Sequence, residues 1–309
     1  MAIIPDAQVP GVYHRRVGQF LVTALHDGYQ DVSMTTVLGI DPAEAEAMLG
    51  AARRPVPRRT TVNAFLVRDR GRTILVDAGC GTRGAATVGQ LMPNLAAAGV
   101  DAADIDLVLM THLHPDHFGG LTDAAGHAVF PRAELVLHEA EYAYWHDDDA
   151  MMRMTDPARR TIFFINARKA LAPYAGRLRT ITAGEVLSGI TAVALPGHTP
   201  GHTGYRIASE GRSLLIWGDI VHVQELQVQR PEVTMLVDVD PPAAIRTRRQ
   251  LLAEMADWGE AVAGMHLHFP GLAHLAHGPG GIHLLPDAWS TDLAGDAPSD
   301  SSGLRHAVG

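Results

Sequence analysis

Cysteine is nearly missing from this chain of 309 residues, with Cys80 its one representative. A lone thiol forms no intrachain disulfide and no thiolate-rich zinc cluster, so any metal must be held by histidine and carboxylate. Cationic excess is missing as well. Lys and Arg number 25 against 34 Asp and Glu, a net charge of −9 with histidine neutral. No general basic field therefore exists for nucleic acid or an anionic membrane, and neither is expected as a partner. No stretch reaches the roughly 20 apolar residues that a membrane span needs. Pro5 and Pro10 interrupt the few apolar residues at the start, which carries no signal-like basic and apolar run, so a cytoplasmic location is expected. Repeats and low-complexity blocks are absent too.

What is present reads as an ordinary globular chain, 47% hydrophobic and 19% charged, with an unusual supply of 17 histidines. Short β-rich runs alternate with helical stretches, the pattern of an α/β fold. Strands are expected over residues 18–25, 61–67, 73–77, 106–111, 134–137, 190–195, 204–207 and 214–217. Helical spacing covers 85–98, with a break or kink near Pro93, then 157–172 and 242–256. The expected organisation is an N-terminal arm at 1–17, one domain at 18–286 and a C-terminal tail at 287–309, rich in Ser, Gly, Ala and Asp. The long departure at 146–177 reads either as a structural helix with a loop before it or as a lid.

The chemistry concentrates in THLHPDHFGG, residues 111–120, directly after the apolar run DLVLM. In an extended segment His112 and His114 project to one side and can share one metal, while Asp116 and His117 turn towards a second position. Further on, LPGHTPGHTGYR places His198 in a loop held by Pro196, Gly197, Pro200 and Gly201. His112, His114 and His198 complete one set and leave a fourth position for solvent, as a catalytic metal requires. His202 starts the next strand and reads as a packing or supporting residue more than a ligand. Asp219, at the end of SLLIWGD, has two oxygens and can bridge two ions, although a capping Asp is the usual reading of such a turn. In VAGMHLHFPG, His266 or His268 completes the second set.

In this order and spacing, THLHPDHFGG, PGHTPGH, WGD and MHLHFPG resemble the metallo-β-lactamase superfamily, from about Gln19 to His277. The phrases WGDIVHVQELQ, PEVTMLVDVD and HLHFPGLAHL look most like its methyl parathion hydrolase-like branch of lactonases, aryl esterases and phosphotriesterases. The resemblance implies a four-layer αββα sandwich with two metals between the sheet edges, and suggests a homodimer. Carried over residue by residue, it implies His112, His114 and His198 on one ion, Asp116, His117 and His266 on the other, and Asp219 bridging. Asp77, in LVDAG, resembles the family's carboxylate that holds a ligand imidazole by its outer N–H.

Two departures narrow the reading. Class B1 β-lactamases use a cysteine ligand, whereas Cys80 lies in a different loop from every candidate ligand, which disfavours β-lactam hydrolysis. Well-known N-acyl homoserine lactonases carry tyrosine three residues after the bridging aspartate, where this chain has His222. The expected cofactor is a pair of divalent ions, zinc first, with Mn, Fe or Co also suited to His and carboxylate ligands. The expected reaction is water attack on a small, neutral, apolar ester or lactone, with phosphotriesters as a side activity. Asp116 is the candidate to orient the nucleophile and shuttle its proton, and His222 either touches the substrate oxygen or packs below the site. Tyr142, Trp145, Met151, Phe163 and Phe164 are candidate pocket walls. A glyoxalase II-like thiolester hydrolase and a mononuclear-iron persulfide dioxygenase share the motif and stand as alternatives.

Overall fold

Unbroken apolar runs such as FLV, ILV, LVLM and LLIW have no polar face to turn to water, and the structure shows why. In this computed structural model, which describes residues 8–69, 71–82 and 84–293, such runs are strands covered on both sides. Successive side chains of a strand point to opposite faces. Phe65, Val67, Ile74, Val76, Leu107 and Leu109 meet Tyr205, Ile207, Leu214 and Ile216 between two sheets. Their neighbours Leu66, Leu75, Val108 and Met110 pack outward beneath helices on one side. Leu215, Trp217 and Val262 do the same on the other, against Leu251, Leu252 and Met255. Three apolar layers thus separate four structural layers, and the fold is the αββα sandwich expected from the sequence.

Among the described residues each of these two sheets has seven strands, and a third, small sheet pairs Val37–Leu38 with Thr234–Met235. The first runs in the order Val12–Val17, Phe20–Val32, Arg58–Arg68, Thr73–Val76, Leu107–Leu109, Glu134–His138, Leu178–Ile181. The second runs Gly281–Pro286, Leu272–Gly278, Ala261–Ala263, Arg212–Ile216, Thr203–Ser209, Ile190–Ala194, Gly184–Leu187. Strands 73–76, 107–109, 134–138 and 178–181 pair in parallel, as do 212–216 and 261–263. Parallel strands present their carboxyl ends together, and loops there can vary without disturbing the core.

The helix Pro241–Trp258 shows how local sequence sets an element. Asp240 caps it by accepting from the Ala243 N–H, prolines occupy its first turn, and Gly259 ends it in the left-handed region at φ 64°. Ala244, Arg248, Leu251, Leu252 and Met255 form its buried stripe. Arg248 reaches out of that stripe to donate to the carbonyls of Ile220, Pro231 and Val233, fixing the loop that follows Asp219.

Several sequence expectations change. Residues 12–17, assigned to an arm, form the edge strand paired with Val17↔Phe20 through Val12↔Leu25. The strand expected at 18–25 begins at Phe20 and extends to Val32. The helix expected at 85–98 is confined to Leu91–Ala97, and Pro93 causes no kink because it lies in the first turn, where a backbone N–H has no helical partner. The stretch 157–172 is helical but interrupted: a turn of π-helix at Thr161–Ile165 joins Pro157–Arg160 to Asn166–Leu171. Asp287, at the start of the expected tail, pairs with Arg15 and His274, while 294–309 and 1–7 lie outside the described residues.

Replacing Arg248 by leucine strips donors from three carbonyls at once. A loss on the order of 3 kcal/mol is expected from buried groups left unpaired, read as a lower denaturation midpoint in urea.

Candidate metal centre

Four strand ends deliver the candidate ligands to one place, and a fifth brings the supporting carboxylate Asp77. Thr111 to His114 follow the strand Leu107–Leu109, His198 follows Ile190–Ala194, Asp219 follows Arg212–Ile216 and His266 follows Ala261–Ala263. Asp77 follows Thr73–Val76 with φ at 61°, a left-handed conformation that Asp tolerates better than most residues. Gly218 is required in the turn before Asp219: φ is +61°, and a Cβ there would stand 2.4 Å from His202 Nε2.

The centre of the cluster is one oxygen. Asp219 Oδ2 lies 3.0 Å from His266 Nε2, 3.1 Å from His222 Nε2, 3.3 Å from His117 Nε2, 3.4 Å from His198 Nε2 and 3.7 Å from His112 Nε2. All six side chains are buried. Asp116, the most exposed of the candidate ligands, brings Oδ2 to 3.5 Å and Oδ1 to 3.8 Å from the Nε2 atoms of His266 and His117. Ligand atoms of His112, His114 and His198 lie within 4.8 Å of one another, as do those of Asp116, His117 and His266. Asp219 joins His112 and His117 in one such group, and His198 and His222 in another.

The outer nitrogens dictate what the inner ones present. His117 Nδ1 donates to Asp77 Oδ2 at 2.7 Å, His198 Nδ1 to Asp238 Oδ1 at 2.7 Å and His266 Nδ1 to the Thr61 carbonyl at 2.7 Å. Thr111 Oγ1 gives its own proton to Asp77 Oδ2 and so accepts from His112 Nδ1 at 3.1 Å. A neutral imidazole that donates from Nδ1 carries a lone pair at Nε2. Nε2 of all four rings therefore points at one carboxylate oxygen, with His266 placed to donate to it at 3.0 Å, and the Nε2 atoms of His112 and His198 face each other at 3.2 Å. Asp219 Oδ1 and His117 Nε2 are buried without any hydrogen-bond partner. Inward-facing nitrogens gathered about a carboxylate, with one oxygen and one nitrogen left unpartnered, are a donor set that two divalent ions fit.

Charge follows the same geometry. Burial drives His112 and His114 well below the ordinary histidine pKa. In His117, burial pulls down, but Asp219, Asp116 and Asp77 override it and raise the ring well above that value. Asp219 is pushed up by burial yet held well below the carboxylate range by His117, His266, His222 and His112. Protons and cations thus compete for the same inward-facing nitrogens.

Other sequence candidates separate here. His202 donates from Nδ1 to the Leu195 carbonyl and accepts the Asp219 N–H at Nε2, so both nitrogens are engaged and the ring positions Asp219. Burial lowers its pKa to about 3. His268 is removed from the cluster and pairs with Glu225 at 2.6 Å, leaving His266 as the contributor from HLH. His274 and His277 pair with Asp287 and Asp257 on the last strands. His222 keeps neither nitrogen in a hydrogen bond and lines the cavity beside the cluster, its pKa lowered by burial to about 4. Cys80 is buried with its thiol pushed up by burial, and it takes no place among the candidate ligands.

That cavity has a volume of about 580 Å³, sized for a small organic molecule. Its floor is His114, Asp116, Asp219, His222 and His266, and its walls include Val32, Ile162, Phe163, Met235 and Val237. Of the five wall candidates from the sequence, Phe163 lines it. Trp145 and Phe164 belong instead to the core, Met151 packs against that core, and Tyr142 is exposed and stacked on His146. The segment 146–177 places Phe164, Ala167 and Leu171 in the core and Ile162, Phe163 and Asn166 on the cavity.

Three supporting groups escaped sequence reasoning. Asp238 orients His198 and also accepts the Met235 N–H. Glu141, fully buried, accepts from Leu113 N and Trp145 Nε1 on one oxygen and from Thr199 Oγ1 and Gly201 N on the other. It clamps the two histidine loops together. Asp27 accepts from Cys80 N and Leu91 N below the Asp77 turn. Replacing Asp238 by asparagine leaves one acceptor for two donors, and metal affinity is expected to fall 10- to 100-fold in chelator competition with the fold intact by circular dichroism. Unchanged affinity would remove the assigned role.

A family model described as the Metallo-beta-lactamase superfamily matches residues 57–257. The fold is similar to the crystal structure of hydrolase AbOPH of the beta lactamase superfamily, with TM-score 0.87 and 31% identity, covering 92% of this chain and 100% of that one. It is also similar to AidC, a dizinc quorum-quenching lactonase solved with a product, at TM-score 0.85 and 25% identity, covering 91% of this chain and 99% of that one. Among curated proteins, YobT of Bacillus subtilis (strain 168) is 27% identical over 163 residues, 53% of this chain and 63% of YobT. The chain thus spans less than two thirds of that relative's length. Since the superfamily pattern takes in more than half of the chain and the histidine cluster falls at the sheet edge where that pattern runs, this protein belongs to the metallo-β-lactamase superfamily.

Proposed function

We propose that the protein is a dinuclear metal-dependent hydrolase of lactones or aryl esters, with phosphotriesters as further substrates. The observation that carries the reading is the ring of four imidazole Nε2 atoms about Asp219 Oδ2, opening onto a cavity with apolar walls. His112, His114 and His198 would hold one ion, Asp116, His117 and His266 the other, with Asp219 between them. When bound there, two divalent cations, zinc in the first instance, supply Lewis acidity and bring hydroxide within reach of neutral pH.

The chain's own residues do the rest. Asp116, the most exposed of the candidate ligands on the cavity floor, accepts the proton of the attacking water and returns it to the leaving oxygen. His222, neutral at pH 7, has an N–H to offer the substrate's acceptor oxygen. Val32, Ile162, Phe163, Met235 and Val237 seat the apolar body and exclude bulk water from the reacting bond. Similarity to AbOPH and AidC supports this class.

Elemental analysis joined to a substrate panel tests the proposal. Two divalent ions per chain are expected, with hydrolysis of dihydrocoumarin, γ-lactones, p-nitrophenyl esters or paraoxon at least about 100-fold above the Asp116→Asn variant. Turnover confined to S-lactoylglutathione, or one iron per chain with oxygen uptake, would replace this reading with a thiolester hydrolase or an oxidoreductase.

A further inference from the structure

The cavity wall carries a cation that the hydrolytic reading leaves unused. Arg58, 5% exposed, is the one Lys or Arg among the described residues that line the cavity. Its neighbours in sequence have acidic partners: Arg54 meets Glu225, and Arg59 meets Asp31. Arg58 has none. Its terminal nitrogens donate to the hydroxyls of Thr60 and of Thr36, the latter at 3.4 Å, and its buried Nε has no hydrogen-bond partner. Both threonines line the same cavity. A guanidinium has five N–H donors, so most of its capacity is unspent.

Burying an unpaired charge is costly and persists where something compensates it. Burial lowers the Arg58 pKa to about 10, which leaves the side chain charged at neutral pH, and the carboxylate that favours its charge is Asp116. Asp116 is also a candidate ligand, and its charge, with that of Asp219, is the one two divalent ions would more than neutralise. The loaded cavity is then a positive pocket with apolar walls, and Arg58 supplies a fixed fork suited to a planar carboxylate.

We propose that Arg58 is a specificity residue that receives a carboxylate of the substrate remote from the scissile bond, so that the preferred ester or lactone is an acidic one with an apolar body. This rests on the hydrolase reading and departs from a wholly neutral substrate. The carboxylate stays intact during hydrolysis, since Arg58 binds and orients without entering the chemistry.

The test compares metal-loaded wild type with Arg58→Met and Arg58→Lys, each checked by thermal melting. Two acidic esters are used, p-nitrophenyl hydrogen adipate with the acid on the acyl side and 4-acetoxybenzoate with it on the leaving side. Their neutral counterparts are p-nitrophenyl heptanoate and phenyl acetate. Wild type is expected to favour at least one acidic ester tenfold or more in kcat/KM over its counterpart. Arg58→Met should erase that preference through KM, and Arg58→Lys should restore part of it. Calorimetric binding of adipate, stronger in wild type than in Arg58→Met, gives a readout independent of turnover. No preference in either pair, or an equal loss on acidic and neutral esters with unchanged adipate binding, overturns the assignment. If no ester is cleaved, the hydrolase reading falls, and adipate binding alone then judges Arg58.

Discussion

Everything near the site is subordinate to a conflict around Asp219 Oδ2. Four imidazoles, each fixed from behind by an acceptor, turn Nε2 towards an anionic oxygen, where protons and cations compete for the same positions. The protein does not relax that crowding by rotating the rings, because every outer nitrogen is already engaged. Asp77 alone accepts from the Thr111 backbone, the Thr111 hydroxyl and His117. Crowding of this kind, held in place by a rigid sandwich, makes a cation site out of ordinary residues.

The rigidity comes from the layers beneath. Because the strands under the site are apolar on both faces, their ends cannot slide without exposing one core or the other. The register of Val76 with Leu109 and of Ile216 with Ala263 thereby sets the positions of Asp77, the HLH loop, Asp219 and His266. The cavity walls come from segments that lie beyond those ends: the π turn carrying Ile162 and Phe163, the strand start carrying Arg58, and the stretch from Met235 to Val237.

Much of this was legible in the sequence because the ligands travel in dense local phrases after apolar strands. The strand LVLM followed by THLHPDH announces both the element and its burden. His266 and His268 were not separable by pattern, since alternation places both near the strand end, and only the tertiary contact of His268 with Glu225 divides them. Asp238 and Glu141 were hidden for a different reason. Each lies some 40 or more positions from at least one of its partners, in an acidic context that reads as a helix cap or a helix surface. Arg58 sits in the run RRPVPRR, which looks like a solvated turn; its burial follows from strand pairing with residue 32, not from any local signal. The edge strand Val12–Val17 was overlooked because its alternation is half-polar and follows a proline-broken start.

The Glu141 clamp carries a consequence of its own. By bonding Leu113, Thr199 and Gly201 at once, it ties a loop of one sheet to a loop of the other through protein atoms alone. The two histidine loops are thereby held at a fixed spacing by hydrogen bonds that need no ion between them. A cation entering so braced a frame would cost little chain entropy, and one suited to His and carboxylate could replace another without dismantling the sandwich.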